Sequence, residues 1–99
     1  MATIYIGRDN PFKLQASEDG ASIDLSGVTK MAVRVGAADT DSDANPILFD
    51  WSAGDGVVSI IVGLVPQLSA GAKRLRLIAY SDAWPDGIVL GDLPVDVTA

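Results

Sequence analysis

Apolar residues recur at every second position in short runs along this chain, and Gly, Pro, Asp and Asn separate the runs. A period of two marks strands with one face buried. Seven runs predict strands, at residues 3–6, 12–17, 28–36, 47–51, 57–62, 73–81 and 88–97. In the second, Phe12, Leu14 and Ala16 share one face while Lys13, Gln15 and Ser17 share the other. The third has the clearest alternation, with Met31, Val33 and Val35 turned one way and Lys30 and Arg34 the other. The sixth turns Leu75, Leu77 and Ala79 inward and sets Arg74, Arg76, Ile78 and Tyr80 outward.

The remaining runs differ in what they imply about position. Pro46 introduces residues 47–51, which read as a short edge strand. Residues 57–62 are nearly all apolar and β-branched, with Ser59 the one polar member, so this strand is expected to be central and covered on its outer face. In the last run Leu93, Val95 and Val97 oppose Asp92, Pro94 and Asp96. Gly91 marks a bulge there, and Pro94, which cannot donate to a ladder, places the strand at an edge.

Between the strands, Gly7-Arg8-Asp9-Asn10-Pro11, Glu18-Asp19-Gly20 and Trp84-Pro85-Asp86-Gly87 read as turns, and Ile23-Asp24-Leu25 as a short segment before the third strand. Residues 37–45 form the most polar stretch and read as a loop. Pro66-Gln67-Leu68-Ser69-Ala70-Gly71 suits one short helical turn near residues 66–70, since Pro favours a first turn and Gly a stop. Seven strands at roughly ten-residue spacing predict a single all-β domain over residues 1–99, a seven-stranded, antiparallel, immunoglobulin-like β-sandwich. The cysteine pair of antibody domains is absent.

Composition narrows what such a domain does. Ninety-nine residues suffice for one core. With 48% hydrophobic and 20% charged residues the chain lies far from disordered composition. Without cysteine, packing alone must hold the fold. The opening residues lack the basic region and apolar run of a signal peptide, and no stretch approaches the ~18 apolar residues of a membrane span, so no membrane partner is expected. A net charge of −6 opposes nucleic-acid phosphate. Twelve of the thirteen acids are Asp, a turn-forming residue.

Histidine is absent too, which removes the commonest general base, the commonest metal ligand and both usual partners of a nucleophilic triad. No enzyme activity and no cofactor are expected. Asp39-Thr40-Asp41-Ser42-Asp43, with Asp50 eleven residues after Asp39, follows the acidic spacing of a calcium loop, so Asp39, Asp41 and Asp43 are candidate metal ligands. The pattern departs in three ways: Ala44 stands at the sharp-turn Gly, Asp50 replaces the bidentate Glu, and no helical periodicity flanks the segment. A solvated acidic loop is the expectation.

The third, sixth and seventh strands of a seven-stranded sandwich lie side by side. Lys30 and Arg34, Arg74 and Arg76, and Asp92 and Asp96 are therefore expected to form cross-strand charge pairs on a solvent face. With Ile78 and Tyr80 among them, the same residues are candidates for an interface, where Arg and Tyr are favoured anchors. Trp51 and Trp84, beside turns, are candidates for capping the core ends or for making contacts.

The short opening strand with Arg8-Asp9-Asn10, the Asp24-Leu25-Ser26-Gly27-Val28 lead into a strand, Leu68-Ser69-Ala70-Gly71 before the sixth strand and Asp86-Gly87 in the last hairpin resemble small tailed-bacteriophage structural proteins with an immunoglobulin-like domain. The comparison is with the N-terminal domain of baseplate upper proteins and with related head-fibre and capsid decoration proteins. Baseplate upper proteins continue into further domains, whereas this sequence stops at Ala99, so the resemblance implies a self-contained capsid or tail module. It implies a virion location, synthesis in the bacterial host cytoplasm, and partners that are the chain itself, as a homo-oligomer and specifically a trimer, and other virion proteins. The alternative is a carbohydrate-binding or adhesion module in which Trp51, Trp84 and Tyr80 stack on a glycan.

Overall fold

The computed structural model describes residues 2–9, 11–15, 17–18, 21–22, 24–52, 54 and 56–99. Within them lie ten strands: β1 (Ala2–Tyr5), β2 (Pro11–Gln15), β3 (Ser17–Glu18), β4 (Ala21–Ser22), β5 (Val28–Val35), β6 (Ala38–Asp41), β7 (Phe49–Trp51), β8 (Val57–Ile61), β9 (Gly71–Ser81) and β10 (Ile88–Thr98). One sheet has the order β1-β10-β9-β5-β6 and a second β2-β8-β7, while β3 and β4 form a separate two-residue hairpin. The protein is all-β, as the period-two pattern predicts. Among the described residues no helix is long and apolar enough to cross a membrane.

Alternation becomes a core because each strand sends every second side chain to the same side. Met31, Val33 and Val35 of β5, Leu75, Leu77 and Ala79 of β9, and Val95 and Val97 of β10 are all buried, as are Val58 and Ile60 of β8. These residues and Ile4, Ala38 and Phe49 join in one cluster, against which Phe12, Leu14, Leu93 and Trp51 pack. The core thus fills the space between the inner faces of the two sheets. β8 is central in its sheet, and β7 is short and lies at an edge, both as expected.

Ten strands are described where seven are expected, the additions being β3, β4 and β6, and four features differ from the sequence reading. The acidic stretch after Val35 is not wholly loop, because Ala38–Asp41 pairs with β5 through Val35↔Ala38 and Ala32↔Asp41. Gly36 turns that hairpin with φ +62°, the left-handed value that a two-residue turn requires. The helical turn near residues 66–70 does not form, since Gln67 takes φ +64° and a right-handed turn cannot continue through it. One 3₁₀ turn lies earlier, at Val62–Leu64, and another at Pro46–Leu48, so that the expected 47–51 strand starts only at Phe49. Finally, the strands are not all antiparallel: β1 runs parallel to β10, with Ala2↔Val95 through Tyr5↔Thr98.

The β10 reading holds in detail. Its register against β9 shifts between Val89 and Gly91, which is the bulge. Its pairing with β1 begins at Val95, so that among the described residues Pro94 and those before it line a sheet edge. Asp24 accepts a hydrogen bond from the Ser26 N–H at 2.9 Å, which lowers its pKa and turns the chain into β5, with Leu25 buried beneath. Ala16 and Ile23, placed in apolar segments by the alternation, and Asn10, Asp19 and Gly20, placed in turns, lie outside the described residues.

One glycine is required by a backbone crossing. The Val62–Leu64 turn passes directly beneath the β1–β2 turn, and the Gly7 N–H donates to the Gly63 carbonyl at 2.8 Å. A Cβ on Gly63 would come within 2.4 Å of the Tyr5 carbonyl oxygen and 2.5 Å of that of Arg8. Both obstacles are backbone, so no rotamer relieves them. Gly63→Ala is expected to cost about 2 kcal/mol or more, a fall in Tm on the order of 10 °C. Gly27→Ala, where a Cβ meets nothing within 4 Å, is expected to change stability by less than about 0.5 kcal/mol. Thermal unfolding of the two variants checks the crossing, and equal Tm values would contradict it.

Candidate functional site

The register of the five-stranded sheet sets its outward side chains in rows. At one end, Asp39 of β6, Arg34 of β5, Arg76 of β9 and Asp92 of β10 stand opposite one another in sequence. The next row is mostly apolar and runs Asp41, Ala32, Ile78, Val89. Beyond it, Lys30 pairs with Tyr80. Arg74, two positions before Arg76, extends the basic end. All six outward candidates from β5 and β9, namely Lys30, Arg34, Arg74, Arg76, Ile78 and Tyr80, therefore come together on one face.

The charge pairs form only in part. Arg76 donates an Nη2 hydrogen bond of 3.0 Å to Asp92, and Arg74 donates from Nε to the other oxygen of the same carboxylate. The Arg76 hydrogen bond does most to hold the Asp92 carboxyl below its ordinary pKa; desolvation opposes it, and the Arg74 bond and both positive charges add to the lowering. Among the described residues Lys30 makes no ion pair, but it places its Nζ 4.6 Å from the centre of the Tyr80 ring, within reach of a cation–π interaction. Arg34 gives its Nε–H to the Gly36 carbonyl at 3.2 Å. Asp96 is exposed and, among the described residues, makes no ion pair.

This face also contains depressions. A cleft of about 240 Å³ is lined by Arg34, Gly36, Arg74 and Arg76. A groove of similar volume follows β5, β6 and β9 past Arg34, Asp39, Ile78 and Tyr80. Gly87, at φ +85°, lets the last hairpin fold over that end, since a Cβ there would lie 2.7 Å from Ile78 Cγ2 and 2.8 Å from Tyr80 Cε1. Val89 belongs to the face and is 54% exposed. The sequence reading did not single it out, because the bulge at Gly91 shifts the alternation and only the register Val89↔Ile78 reveals its side.

The other candidates lie elsewhere. Trp51 belongs to β7 in the other sheet, opposite buried Val58, and packs against the core. Trp84 is half-buried in the turn after β9, where its N–H meets the Ser81 carbonyl at 3.0 Å and hydroxyl at 3.2 Å. Trp51, Trp84 and Tyr80 do not make a common stacking platform. Asp39 and Asp41 sit on β6, where the Asp41 carboxylate accepts the Ala44 N–H at 2.8 Å, while Asp50 lies on β7 in the other sheet. Among the described residues no three His, Cys, Asp or Glu side chains are grouped to hold a metal ion.

No protein-family model matches the chain, and no curated protein or solved structure matches it at a significant level.

Because the folded-state pKa of Asp92 is lowered, the stability it contributes is fully present above its unfolded value and is lost as pH falls through its folded value. An NMR titration is expected to show the Asp92 carboxyl titrating below the ordinary aspartate range, and Arg76→Gln to raise it back. An Asp92 midpoint unmoved by that substitution would show that the clamp does not form in solution.

Proposed function

We propose that this chain is an immunoglobulin-like sandwich acting as a non-enzymatic assembly module, a capsid decoration, head-fibre or tail component of a tailed-bacteriophage particle, docking through the outer face of its five-stranded sheet. The strand order supports the fold reading. β2-β8-β7 takes the places of three strands in one sheet of such a sandwich and β10-β9-β5 those of the three-stranded partner sheet, with β6 as the added strand of the variable type. The phage assignment rests on the turn and spacing resemblance set out above.

The observation that carries the docking reading is the distribution of charge and apolar surface. Four of the seven basic residues, Lys30, Arg34, Arg74 and Arg76, stand on the outer face of β5 and β9, in a chain of net charge −6. Guanidiniums, a Tyr and exposed aliphatic groups on one face match the composition of interface centres. The partner best complementary to the basic end of this face is an acidic one, and the far end of the same face is bordered by exposed Asp43 and Asp82, beside Lys30 and Tyr80, with exposed Asp86 in the turn beyond. A second copy is therefore the proposed occupant. Contact between unlike patches is heterologous, and where the rotation between copies closes it builds a ring, the arrangement of the proposed trimer.

Light scattering coupled to size-exclusion chromatography is expected to give about three times the 10.3 kDa chain mass at low salt. The mass should fall toward that of one chain at high salt, because screening weakens charge complementarity. Arg76→Glu should lower the mass even at low salt. A monomer at every concentration and salt level would overturn self-docking.

A further inference from the structure

The basic end of this face has a charge arrangement that the chain does not complete. Arg34 and Arg76 are directly opposed on β5 and β9, a placement in which like charges repel. Asp92 offsets part of this, but its two oxygens are taken by Arg74 and Arg76. Asp39 stands in register with Arg34 on its other side, yet among the described residues Arg34 makes no ion pair. Three guanidiniums against the Asp92 carboxylate leave a local charge of +2, or +1 if Asp39 is counted.

The space between them suits a ligand. The cleft of about 240 Å³ lined by Arg34, Gly36, Arg74 and Arg76 is several times the ~30 Å³ share of a water in the liquid. Gly36 contributes backbone alone to its wall, and a Cβ there would press on Lys73 Cδ at 2.9 Å. Each guanidinium has five N–H donors in a planar fork that matches the oxygens of a carboxylate or phosphate. The clamp on Asp92 demonstrates the mode, with two arginines each giving one donor to the two oxygens of a single carboxylate.

We propose that this cleft is an oxyanion-binding site, which takes a carboxylate or phosphate group between the facing guanidiniums of Arg34 and Arg76, with Arg74 alongside. The bound anion removes the repulsion between the two strands and uses the Nη donors of Arg34. The site goes beyond the docking reading, since it operates on an isolated chain as well as on an assembled one.

The test is an NMR titration of the isotope-labelled chain with sodium phosphate and, separately, with sodium citrate, each at constant ionic strength set with sodium chloride. Saturable shifts are expected at Arg34, Gly36, Arg74 and Arg76, including the arginine Nε–H signals. Arg34→Gln, at an exposed position that the core does not depend on, should weaken binding on the order of tenfold, about 1.4 kcal/mol. Arg34→Lys should weaken it less, and Lys13→Gln, on the other sheet, should leave it unchanged. Tighter binding of citrate assigns the site to a carboxylate and tighter binding of phosphate to a phosphoryl group; either supports the proposal. Shifts that fail to saturate with both ions, or saturation that persists unchanged in Arg34→Gln, would overturn it. Ion binding and oligomer mass are read separately, so failure of one reading does not imply failure of the other.

Discussion

The packing of β5 against its neighbours under the opposite sheet is the constraint on which the rest of the structure depends. Met31, Val33, Val35, Leu75, Leu77 and Ala79 have at most 1% exposure. Burying a Val- or Leu-sized side chain stabilises by about 1.5–3 kcal/mol, whereas an exposed ion pair contributes about 0–1 kcal/mol. The apolar set therefore decides the register and the charged set follows. A slip of one residue would carry Arg34 and Arg76 into the core, which a strand with one buried face does not tolerate. Two guanidiniums face each other across β5 and β9 because the residues behind them must pack.

That priority explains the character of the outer face. It is a by-product of the core in position, but not in composition. Nothing in the packing requires arginine at positions 34, 74 and 76, and an acidic chain that spends most of its bases there concentrates positive charge against its own average. The apolar row through Ile78 and Val89 and the Lys30–Tyr80 pair complete a surface with a basic end and an apolar middle. The proposed docking and the proposed oxyanion binding draw on one arrangement, and the second needs only its basic end.

Closure of the fold depends on contacts between distant parts of the chain. β1 joins the sheet beside β10, nearly the whole chain length away, and does so in parallel. The turn that follows β1 rests on the backbone of Gly63. With no disulfide available, this pairing and crossing take the place of a covalent tie between the beginning and end of the domain.

Much of this was legible in residue order. The inward sets of β5 and β9, the central place of β8, the short edge strand β7, the bulge near Gly91 and the outward grouping of Lys30, Arg34, Arg74, Arg76, Ile78 and Tyr80 all follow from a period of two, which is a local property of the backbone. The β6 hairpin was missed because Asp39 and Asp41 look like loop residues. Their neighbours Ala38 and Thr40 face inward, and Gly36 supplies the turn, so pairing with β5 outweighs weak strand propensity. The helical turn expected near residues 66–70 failed at Gln67, whose left-handed backbone the sequence does not announce. What only the tertiary structure decided was partnership: that β1 runs parallel to β10, that Arg34 faces Arg76, that Asp92 takes two arginines while Asp96 makes no ion pair among the described residues, and that Lys30 finds a ring. Alternation tells which side of a strand a residue occupies, but register between strands far apart in sequence is set by the summed packing of the whole core, and no local pattern encodes that sum.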